Sequence, residues 1–409
     1  MHQHHSPIAD KPITCDIFCS VVDNYGDIGV SWRLAQQLAH EQGLYVRLWV
    51  DDLPSFRRLC PEAGQLAVQH IRGVDVRLWP DDFPDVQPAQ LVIEMFACAL
   101  PQRYLLAMAS VSTAAKAPGE DAQSREPVWI ALEHLSAEYW VADYHGLPSP
   151  HPVLSLIRYF FFPGFTPKTG GLLLERDLIA RRDSFQSDPQ AVDLFWQSLD
   201  IPPRQPDEMR LSLFCYEPPA LPGLLAAWAA GAQPVLCLVP EGRALPQIAA
   251  FFSTAEIAAG QIFQRGNLQV RVLAFLPQES YDQLLWACDC NFVRGEDSFV
   301  RAQWAARPFV WHIYPQQDDV HLQKLHAFIM LYSQYMASAA AQSVRALWLG
   351  WNAAGGAGSA VTSNSAAAWK AFREQQPELE QHARIWARQL AENNLAWNLL
   401  DFYREKLIK

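Results

Sequence analysis

The sequence lacks several short motifs that identify common catalytic and cofactor sites. It contains no CxxC pair, and Cys288 and Cys290 have no second pair with which to complete a zinc site. A GxSxG motif is also missing, so a Ser-His-Asp hydrolase is not supported. No Asp-x-Asp motif of the kind that clamps a metal-bound sugar nucleotide follows a predicted strand. These absences favour chemistry that needs no metal and no other cofactor.

Long apolar runs and excess positive charge are absent as well. No stretch of about 18 uncharged apolar residues occurs, so we expect no membrane span. Residues 1–12 lack the features of a signal peptide and are expected to form a flexible tail. The eight cysteines are scattered, several within apolar runs, which predicts buried thiols in a reducing, cytoplasmic compartment. A net charge of −11 argues against general nucleic-acid binding.

The length and the order of elements predict two α/β lobes. A chain of 409 residues exceeds one ordinary core. Residues 13–22 and 44–50 are rich in β-formers, and a helical pattern over residues 31–42 lies between them, which is typical of a parallel βαβ unit. Further strands are predicted at residues 74–78, 91–96 and 128–132, and a second alternating set begins near residue 210. We therefore predict two doubly wound halves with ligands at the carboxyl ends of the strands.

Two loops and a helical end complete this outline. The polar residues 113–125 are expected to form a surface insertion. Residues 352–365, rich in Gly, Ala and Ser, are expected to form a flexible loop. Beyond them, Trp and Leu recur at helical spacings to residue 407, which is typical of packing residues.

The stretch from Arg294 to Arg301 follows a predicted strand and contains a glycine, two carboxylates and a serine. Such a turn places free N–H groups of a helix beginning beside a fixed carboxylate, Glu296. This arrangement suits a ligand that carries both phosphates and sugar hydroxyls. The alternative is an ordinary helix N-cap with acidic first-turn residues.

A second acidic turn, from Asp23 to Gly29, follows the first strand of the N-terminal half. Gly26 and Gly29 do not form the GxGxxG dinucleotide fingerprint, and Asp23 and Asp27 occupy the place where a pyrophosphate prefers bare N–H groups. The turn therefore favours a cationic or hydroxyl-bearing ligand, although each aspartate alone fits a structural turn as well. Because both acidic turns follow strands, we expect Asp27 and Glu296 to face one cleft.

Four aromatic residues follow predicted strands of the second half: Phe214, Tyr216, Phe275 and Tyr281. Each alone fits a core position, but as a group they are suited to sandwiching a nucleobase. Gln278 lies between two of them, and its amide is suited to the polar edge of a base.

These segments together resemble the EarP family, the protein-arginine rhamnosyltransferases that modify translation elongation factor P. The resemblance extends over almost the whole chain, and its longest matching segment runs from Arg294 to Trp304. Further matching segments are Asp23 to Ala35, Pro163 to Leu173, Phe214 to Glu217, Phe275 to Gln278, Trp311 to Gln317, and His321 with Leu322.

The resemblance implies a GT-B glycosyltransferase fold, with two facing Rossmann-like domains and C-terminal helices. It implies an N-terminal acceptor-binding domain over residues 13–180 and a C-terminal dTDP-rhamnose-binding domain over residues 181–370. Helices over residues 371–409 are then expected to pack back on the N-terminal domain. The reaction implied is transfer of L-rhamnose from dTDP-β-L-rhamnose to an arginine of elongation factor P, with inversion, giving α-rhamnosyl-arginine.

The resemblance also assigns roles to individual residues. Asp27 is the expected catalytic carboxylate, with Asp23 nearby and Glu296 across the cleft. Asp297 and Ser298 are expected to hold the ribose-diphosphate part of the donor. The thymine is expected to lie among the remaining donor residues, namely Phe214, Tyr216, Phe275, Gln278 and Tyr281, the last standing where some relatives carry phenylalanine.

Elementary chemistry is compatible with these roles. An arginine side chain stays protonated, and a carboxylate can grip its guanidinium, orient one nitrogen and accept a proton as the new bond forms. The residues alone leave two alternatives open. One is a GT-B sugar-nucleotide epimerase or small-molecule glycosyltransferase, and the other is a scaffold that binds elongation factor P through an acidic cleft.

Overall fold

The computed structural model describes residues 12–22, 25–115, 126–316, 320–353 and 358–408. Within these residues the chain forms two sheets, one of eight strands in the order β3-β4-β2-β1-β5-β6-β8-β7 and one of six in the order β11-β12-β10-β9-β13-β14. We refer to the halves built on these sheets as the N-lobe and the C-lobe.

The N-lobe begins with β1 and is completed by the last helix of the chain. Its strands are β1 Thr14–Cys19, β2 Tyr45–Val50, β3 Val68–Ile71, β4 Val74–Leu78, β5 Leu91–Met95, β6 Val128–Leu132, β7 Pro148–Pro150 and β8 Ile157–Phe161. Its helices are α1 Gly26–Gln42, α2 Leu53–Leu59, α3 Gln102–Ala115 and α4 Val141–Tyr144, together with α15 Leu395–Leu407.

The C-lobe contains the remaining elements. Its strands are β9 Met209–Leu213, β10 Val235–Pro240, β11 Ile262–Arg265, β12 Leu268–Leu273, β13 Cys290–Arg294 and β14 Phe309–His312. Its helices are α5 Leu178–Ser187, α6 Pro189–Ser198, α7 Leu221–Ala230, α8 Leu245–Phe252, α9 Gln278–Ala287, α10 Asp297–Ala305, α11 Val320–Tyr332, α12 Ser338–Trp351, α13 Gly358–Glu374 and α14 Gln376–Leu390.

The central strands are parallel and buried on both faces, although Glu94 in β5 and Arg210 in β9 interrupt their apolar sequences. Every residue of β5, β6 and β9 is buried, because helices cover both faces of a doubly wound sheet. The N-lobe sheet separates two hydrophobic clusters, one including Leu48 and Leu132 and the other including Phe18 and Trp129. The C-lobe packs around one larger cluster.

Short antiparallel strands at the sheet edges were not predicted from the sequence. β3, β7 and β11 pair antiparallel with β4, β8 and β12. β3 and β11 are largely exposed, and β7 contains only Pro148, Ser149 and Pro150. Such strands carry little apolar periodicity, and proline is tolerated at a sheet edge where its missing N–H is not needed.

Two predictions about helix beginnings are wrong. α1 begins at Gly26 rather than at residue 31, so Asp27 lies in the first helical turn. α13 begins at Gly358, so the loop expected over residues 352–365 is helical from that residue onward. Alanine and serine tolerate a helix that tertiary packing stabilises, which composition alone does not indicate. Of the insertion expected over residues 113–125, the first three residues belong to α3 and the rest lies outside the described residues.

The last helices divide between the two lobes. Leu379, Trp386 and Leu390 of α14 belong to the C-lobe cluster, whereas Leu399 and Tyr403 of α15 belong to the N-lobe cluster. The helices expected over residues 371–409 therefore pack on both lobes, and the exact domain limits at residues 180 and 370 stay a prediction. Of the expected tail, residues 1–11 lie outside the described residues. Within the described part of the chain, no helix has the length and hydropathy needed to cross a membrane.

Candidate active site

Asp27 lies at the end of α1 that faces the gap between the lobes. A carboxylate in the first turn of a helix is stabilised by the unpaired N–H groups and the helix dipole. Its Oδ2 accepts a hydrogen bond from the Val22 backbone N–H at 2.9 Å, and the residue is 6 % exposed. This contact of the Asp27 carboxylate lies within the N-lobe. Asp23, the other aspartate predicted here, lies outside the described residues.

Glu296 approaches from the C-lobe at the N-cap of α10, directly after β13. The chain turns between strand and helix at Gly295, whose φ of 62° favours glycine. The Glu296 carboxylate accepts a hydrogen bond from the Leu135 backbone N–H at 3.1 Å and lies 3.2 Å from Nδ1 of His134. Both partners follow β6 of the N-lobe. Glu296 therefore spans the gap between the lobes.

Asp27 and Glu296 line one cavity of about 480 Å³ between the two lobes. Phe96, His134 and Lys324 contribute to its wall, along with Tyr314. The sequence-based expectation that the two acidic turns face one cleft agrees with this placement. Both residues therefore line the wall of the same cavity, while their catalytic roles stay predictions.

A smaller cavity of about 60 Å³ adjoins the C-lobe strand ends. Most of the residues predicted to bind the donor line it, namely Phe214, Phe275, Gln278, Tyr281, Asp297 and Ser298. Tyr216 is not among these lining residues, and its ring contacts His312 at a centroid distance of 5.2 Å. The structure thus brings six of the predicted donor residues together on one cavity, without Tyr216.

The aromatic rings around this smaller cavity pack mainly against one another and against cations. Phe214 and Tyr281 meet edge to face at 5.8 Å. Phe275 contacts Tyr25 of the N-lobe at 4.8 Å, and the guanidinium of Arg58 lies 5.8 Å from the same ring. Burial raises the pKa of Tyr281, which keeps its phenol protonated.

Arg294 is a site residue that the sequence-based prediction did not assign. Its guanidinium lies 4.4 Å from the Phe214 ring centre and 4.8 Å from that of Tyr216, and the residue is 6 % exposed. Among the described residues, its Nη1 has no hydrogen-bond partner. A buried guanidinium with unused N–H groups is suited to an anionic ligand. Its position at the end of β13, where ligands bind in doubly wound sheets, is the sequence feature that could have indicated this role.

The polar donor residues also make contacts within the protein. Gln278 Nε2 donates to the Gly29 backbone oxygen at 3.1 Å and to Asp297 Oδ2 at 3.3 Å. Ser298 Oγ accepts from the Arg294 backbone N–H at 3.0 Å and donates to the Arg294 backbone oxygen. Ser298 therefore closes the turn that begins α10, one residue after the helix begins at Asp297. Donor binding by these three residues stays a prediction.

His134 is a second residue that no motif indicated. Its ring stacks on Phe96 at 4.5 Å and 11°, and Phe96 has a φ of 53°, a conformation that is strained for a residue with a side chain. Partial desolvation lowers the pKa of His134, whose side chain is 48 % exposed, but the hydrogen bond and charge of Glu296, with the charge of Asp27, outweigh it and raise the pKa above its ordinary value. A protonated His134 would hold Glu296 by a charged hydrogen bond.

A comparison with protein families covers almost the whole chain. Residues 15–404 match the family model described as "Elongation-Factor P (EF-P) rhamnosyltransferase EarP". The chain belongs to the EarP family. It is therefore an enzyme, a glycosyltransferase of this family, and the expected family membership is confirmed.

Individual relatives agree with this assignment. The chain is 48% identical over 396 residues to a protein-arginine rhamnosyltransferase of Pseudomonas putida, a match that covers 96% of this chain and 99% of that protein. It is 47% identical over 394 residues to the enzyme of the same description from Pseudomonas aeruginosa, again covering 96% and 99%.

Solved structures confirm the GT-B fold. A structure that explains EarP-mediated arginine glycosylation of translation elongation factor EF-P superimposes with a TM-score of 0.66 at 36% identity, covering 96% of this chain and 99% of that one. Acinetobacter baumannii MurG superimposes with a TM-score of 0.50 at 12% identity, covering 97% of this chain and 100% of that one. The second likeness concerns the fold alone.

Proposed function

We propose that this enzyme transfers L-rhamnose from dTDP-β-L-rhamnose to an arginine side chain of EF-P in the cytoplasm, with inversion and without a metal ion. The observation that carries the proposal is the placement of Asp27 and Glu296, from opposite lobes, on one cavity. An arginine side chain is permanently positive and a poor nucleophile. Two carboxylates are suited to binding and orienting such a group. The protein-arginine rhamnosyltransferases among the relatives, and the solved EarP that glycosylates an arginine of EF-P, support this choice of acceptor.

Asp27 is the proposed base. Its carboxylate binds the guanidinium by accepting two N–H···O hydrogen bonds and orients one nitrogen toward the anomeric carbon. As the new C–N bond forms, the bond between the anomeric carbon and the diphosphate oxygen breaks, and Asp27 accepts the proton released by nitrogen. A single displacement of this kind inverts the anomeric centre, which gives α-rhamnosyl-arginine from a β-linked donor. Glu296 holds the guanidinium from the opposite side.

The C-lobe is proposed to bind the nucleotide. Phe214, Phe275 and Tyr281 offer aromatic surface to thymine. Arg294 and the free N–H groups where α10 begins supply positive charge for the diphosphate. Oriented N–H groups and one guanidinium are a donor set that can bind a diphosphate directly, which supports the proposal of a metal-free reaction.

The test is intact-protein mass spectrometry of EF-P after incubation with the purified enzyme and dTDP-rhamnose. We expect a gain of one deoxyhexose, mapped to an arginine by fragmentation, and no gain on an EF-P variant in which that arginine is replaced by lysine. NMR of the product defines the anomer and therefore tests inversion. An unmodified EF-P refutes the proposal. Epimerised dTDP-sugar would then indicate an epimerase, and EF-P binding without dTDP binding would indicate a scaffold.

A further inference from the structure

A buried group of five charged side chains joins the two lobes behind the candidate active site. We call it the interlobe ion cluster. It contains two arginines and three carboxylates, contributed by the N-lobe, the C-lobe and the segment that connects them: Arg33, Glu175, Asp282, Asp297 and Arg301.

Arg301 forms the part of the cluster that does not depend on the N-lobe. It extends from α10 and donates to both carboxylate oxygens of Asp282 on α9, at 2.8 and 2.7 Å. A third N–H reaches Glu175, which precedes α5, at 2.7 Å. The contacts with Asp282 would persist if the lobes separated, since Asp282 and Arg301 both belong to the C-lobe.

Arg33 is the N-lobe member of the cluster. It extends from α1 and donates to Asp297 at 3.0 Å and to Asp282 at 3.2 Å, with a longer contact to Glu175 at 3.3 Å. The residue is 6 % exposed. A guanidinium can satisfy several carboxylates at once because its N–H groups form a rigid planar fork. Arg33 is thus bound almost entirely by groups outside its own lobe.

The balance of charge explains why the cluster attracts Arg33. With both arginines the five side chains carry one excess negative charge, and without Arg33 they carry two. Removing one partner from a buried ion pair is costly because it leaves a charge uncompensated. Glu175 is charged at neutral pH: burial acts to raise its pKa, but Arg301 and Arg33 lower that pKa to about 2.

A close backbone approach accompanies these ion pairs. A Cβ atom at Gly29 of α1 would lie 3.0 Å from Asp297 Oδ2 and 3.3 Å from Gln278 Nε2. Glycine therefore lets α1 lie directly against two of the proposed donor residues. Asp27 belongs to the same helix, so any shift of α1 moves the proposed base relative to the C-lobe.

We infer that Arg33 is a positioning residue for the reaction: its ion pairs with Asp282 and Asp297 fix α1, and hence Asp27, in register with the donor-binding face of the C-lobe. Arg33 acts through these residues and does not itself contact the reacting atoms. The inference rests on the proposed function for the role of Asp27, but the contact it assigns between the lobes is independent of the substrate.

The kinetic test compares Arg33→Met, Arg33→Lys and Gly29→Ala with the wild-type enzyme. We expect Arg33→Met to lower kcat about 100-fold, the order of loss for a misplacement of about 1 Å. The Kd for dTDP, measured by calorimetry, should change much less than kcat because the proposed nucleotide residues belong to the C-lobe, although Asp297 loses its ion pair with Arg33. Arg33→Lys should recover part of kcat, since it keeps the charge but loses the fork. Gly29→Ala should lower kcat without removing any charge.

The matched control is Arg210→Met. Arg210 is also a buried arginine, with an ion pair to Glu208 at 2.7 Å, but both residues belong to the C-lobe. Circular dichroism confirms that each variant is folded. A wild-type kcat for Arg33→Met, or an equal loss for Arg210→Met, overturns the inference.

A distance measurement separates this inference from the proposed function. Spin labels at Val68→Cys on β3 and Ile262→Cys on β11 report the separation of the lobes, because both residues are exposed. We expect the Arg33→Met background to broaden and lengthen the distance distribution, and the Arg210→Met background to leave it unchanged. An unaltered distribution in Arg33→Met overturns the inference whatever the enzyme transfers. Absence of EF-P modification by the wild type refutes the proposed function and leaves the distance result valid.

Discussion

Asp27 and Glu296 face the same cavity, but they are held there in opposite ways. The Asp27 carboxylate accepts the Val22 backbone N–H of its own lobe. Glu296 accepts the Leu135 backbone N–H and pairs with His134, both of which belong to the other lobe. The Val22 contact of Asp27 therefore does not depend on the other lobe, whereas Glu296 loses both of these partners when the lobes separate.

This difference indicates separate roles for two side chains of the same chemical kind. A base must be oriented before the acceptor arrives, and preorganised groups avoid the cost of reorientation during the reaction. Asp27 meets that condition within the N-lobe. Glu296 is instead oriented by contacts with Leu135 and His134 of the other lobe. The following variants test whether the distinction holds.

The largest effect is expected for Asp27→Asn, which keeps the size of the side chain and removes the proposed base. We expect kcat for EF-P modification to fall about 1000-fold, within the range of general-base contributions. Mass spectrometry of EF-P under single-turnover conditions measures the rate. Asp51→Asn is the control, since Asp51 binds the neighbouring Val21 backbone N–H at 3.0 Å. A rate for Asp27→Asn near that of the control would show that another group accepts the proton.

A smaller loss is expected for Glu296→Gln. The amide oxygen can still accept the Leu135 N–H, but the charged interactions with His134 and with the acceptor are lost. Hydrogen bonds to charged groups are worth about 1.5–3 kcal/mol, so kcat/KM for EF-P should fall about 10- to 100-fold. Steady-state kinetics with varied EF-P measures this value. A loss as large as that of Asp27→Asn would remove the distinction between the two carboxylates.

His134→Gln should make stability less dependent on pH. The raised pKa of His134 means that its contribution is complete below the ordinary value of 6.5 and is lost as pH rises through the folded-state value. Glu296 and Asp27 face the ring with negative charge, and Lys324 opposes them. We expect the wild type to exceed the variant in Tm at about pH 6, and the difference to shrink by about pH 9. Equal differences at both pH values would contradict a charged His134–Glu296 pair.

The smallest effect is expected for Tyr281→Phe. The Tyr281 hydroxyl is buried near Ser298, and among the described residues it makes no hydrogen bond of good geometry. Removing an unsatisfied buried hydroxyl is close to neutral or stabilising, and the ring contact with Phe214 remains. Calorimetry should give a Kd for dTDP within about twofold of the wild type. A large loss of affinity would show that the hydroxyl, and not only the ring, recognises the nucleotide.

Much of the fold follows from local sequence patterns. The strands predicted at residues 74–78 and 128–132 coincide with β4 and β6, because β4 alternates apolar with polar residues and β6 is a continuous apolar run, and both patterns are typical of strands. The predicted turn before Ser31 is instead the beginning of α1. Glycines and acidic residues are typical of turns and of helix beginnings alike, so the pattern did not separate the two.

The candidate site was only partly predictable for a related reason. Asp27 and Glu296 are visible because each follows a strand within a recognisable motif. Their partners are not: the contact between Glu296 and His134 joins residues from two lobes, and nothing in the local sequence of His134 indicates it. The same holds for Arg33. Its local sequence is that of an ordinary polar helix residue, and only the structure shows its contacts with the C-lobe carboxylates.

The path of the final helix has a consequence for how the protein is made. Leu395, Leu399 and Tyr403 of α15 complete the hydrophobic cluster around β1 and β2, and Asn394 caps α15 while its side chain also donates to the Leu174 backbone oxygen. During translation, the interior of the N-lobe therefore stays incomplete until α15 has been synthesised. A chain without α15 would leave apolar surface of the N-lobe cluster exposed to chaperones and proteases.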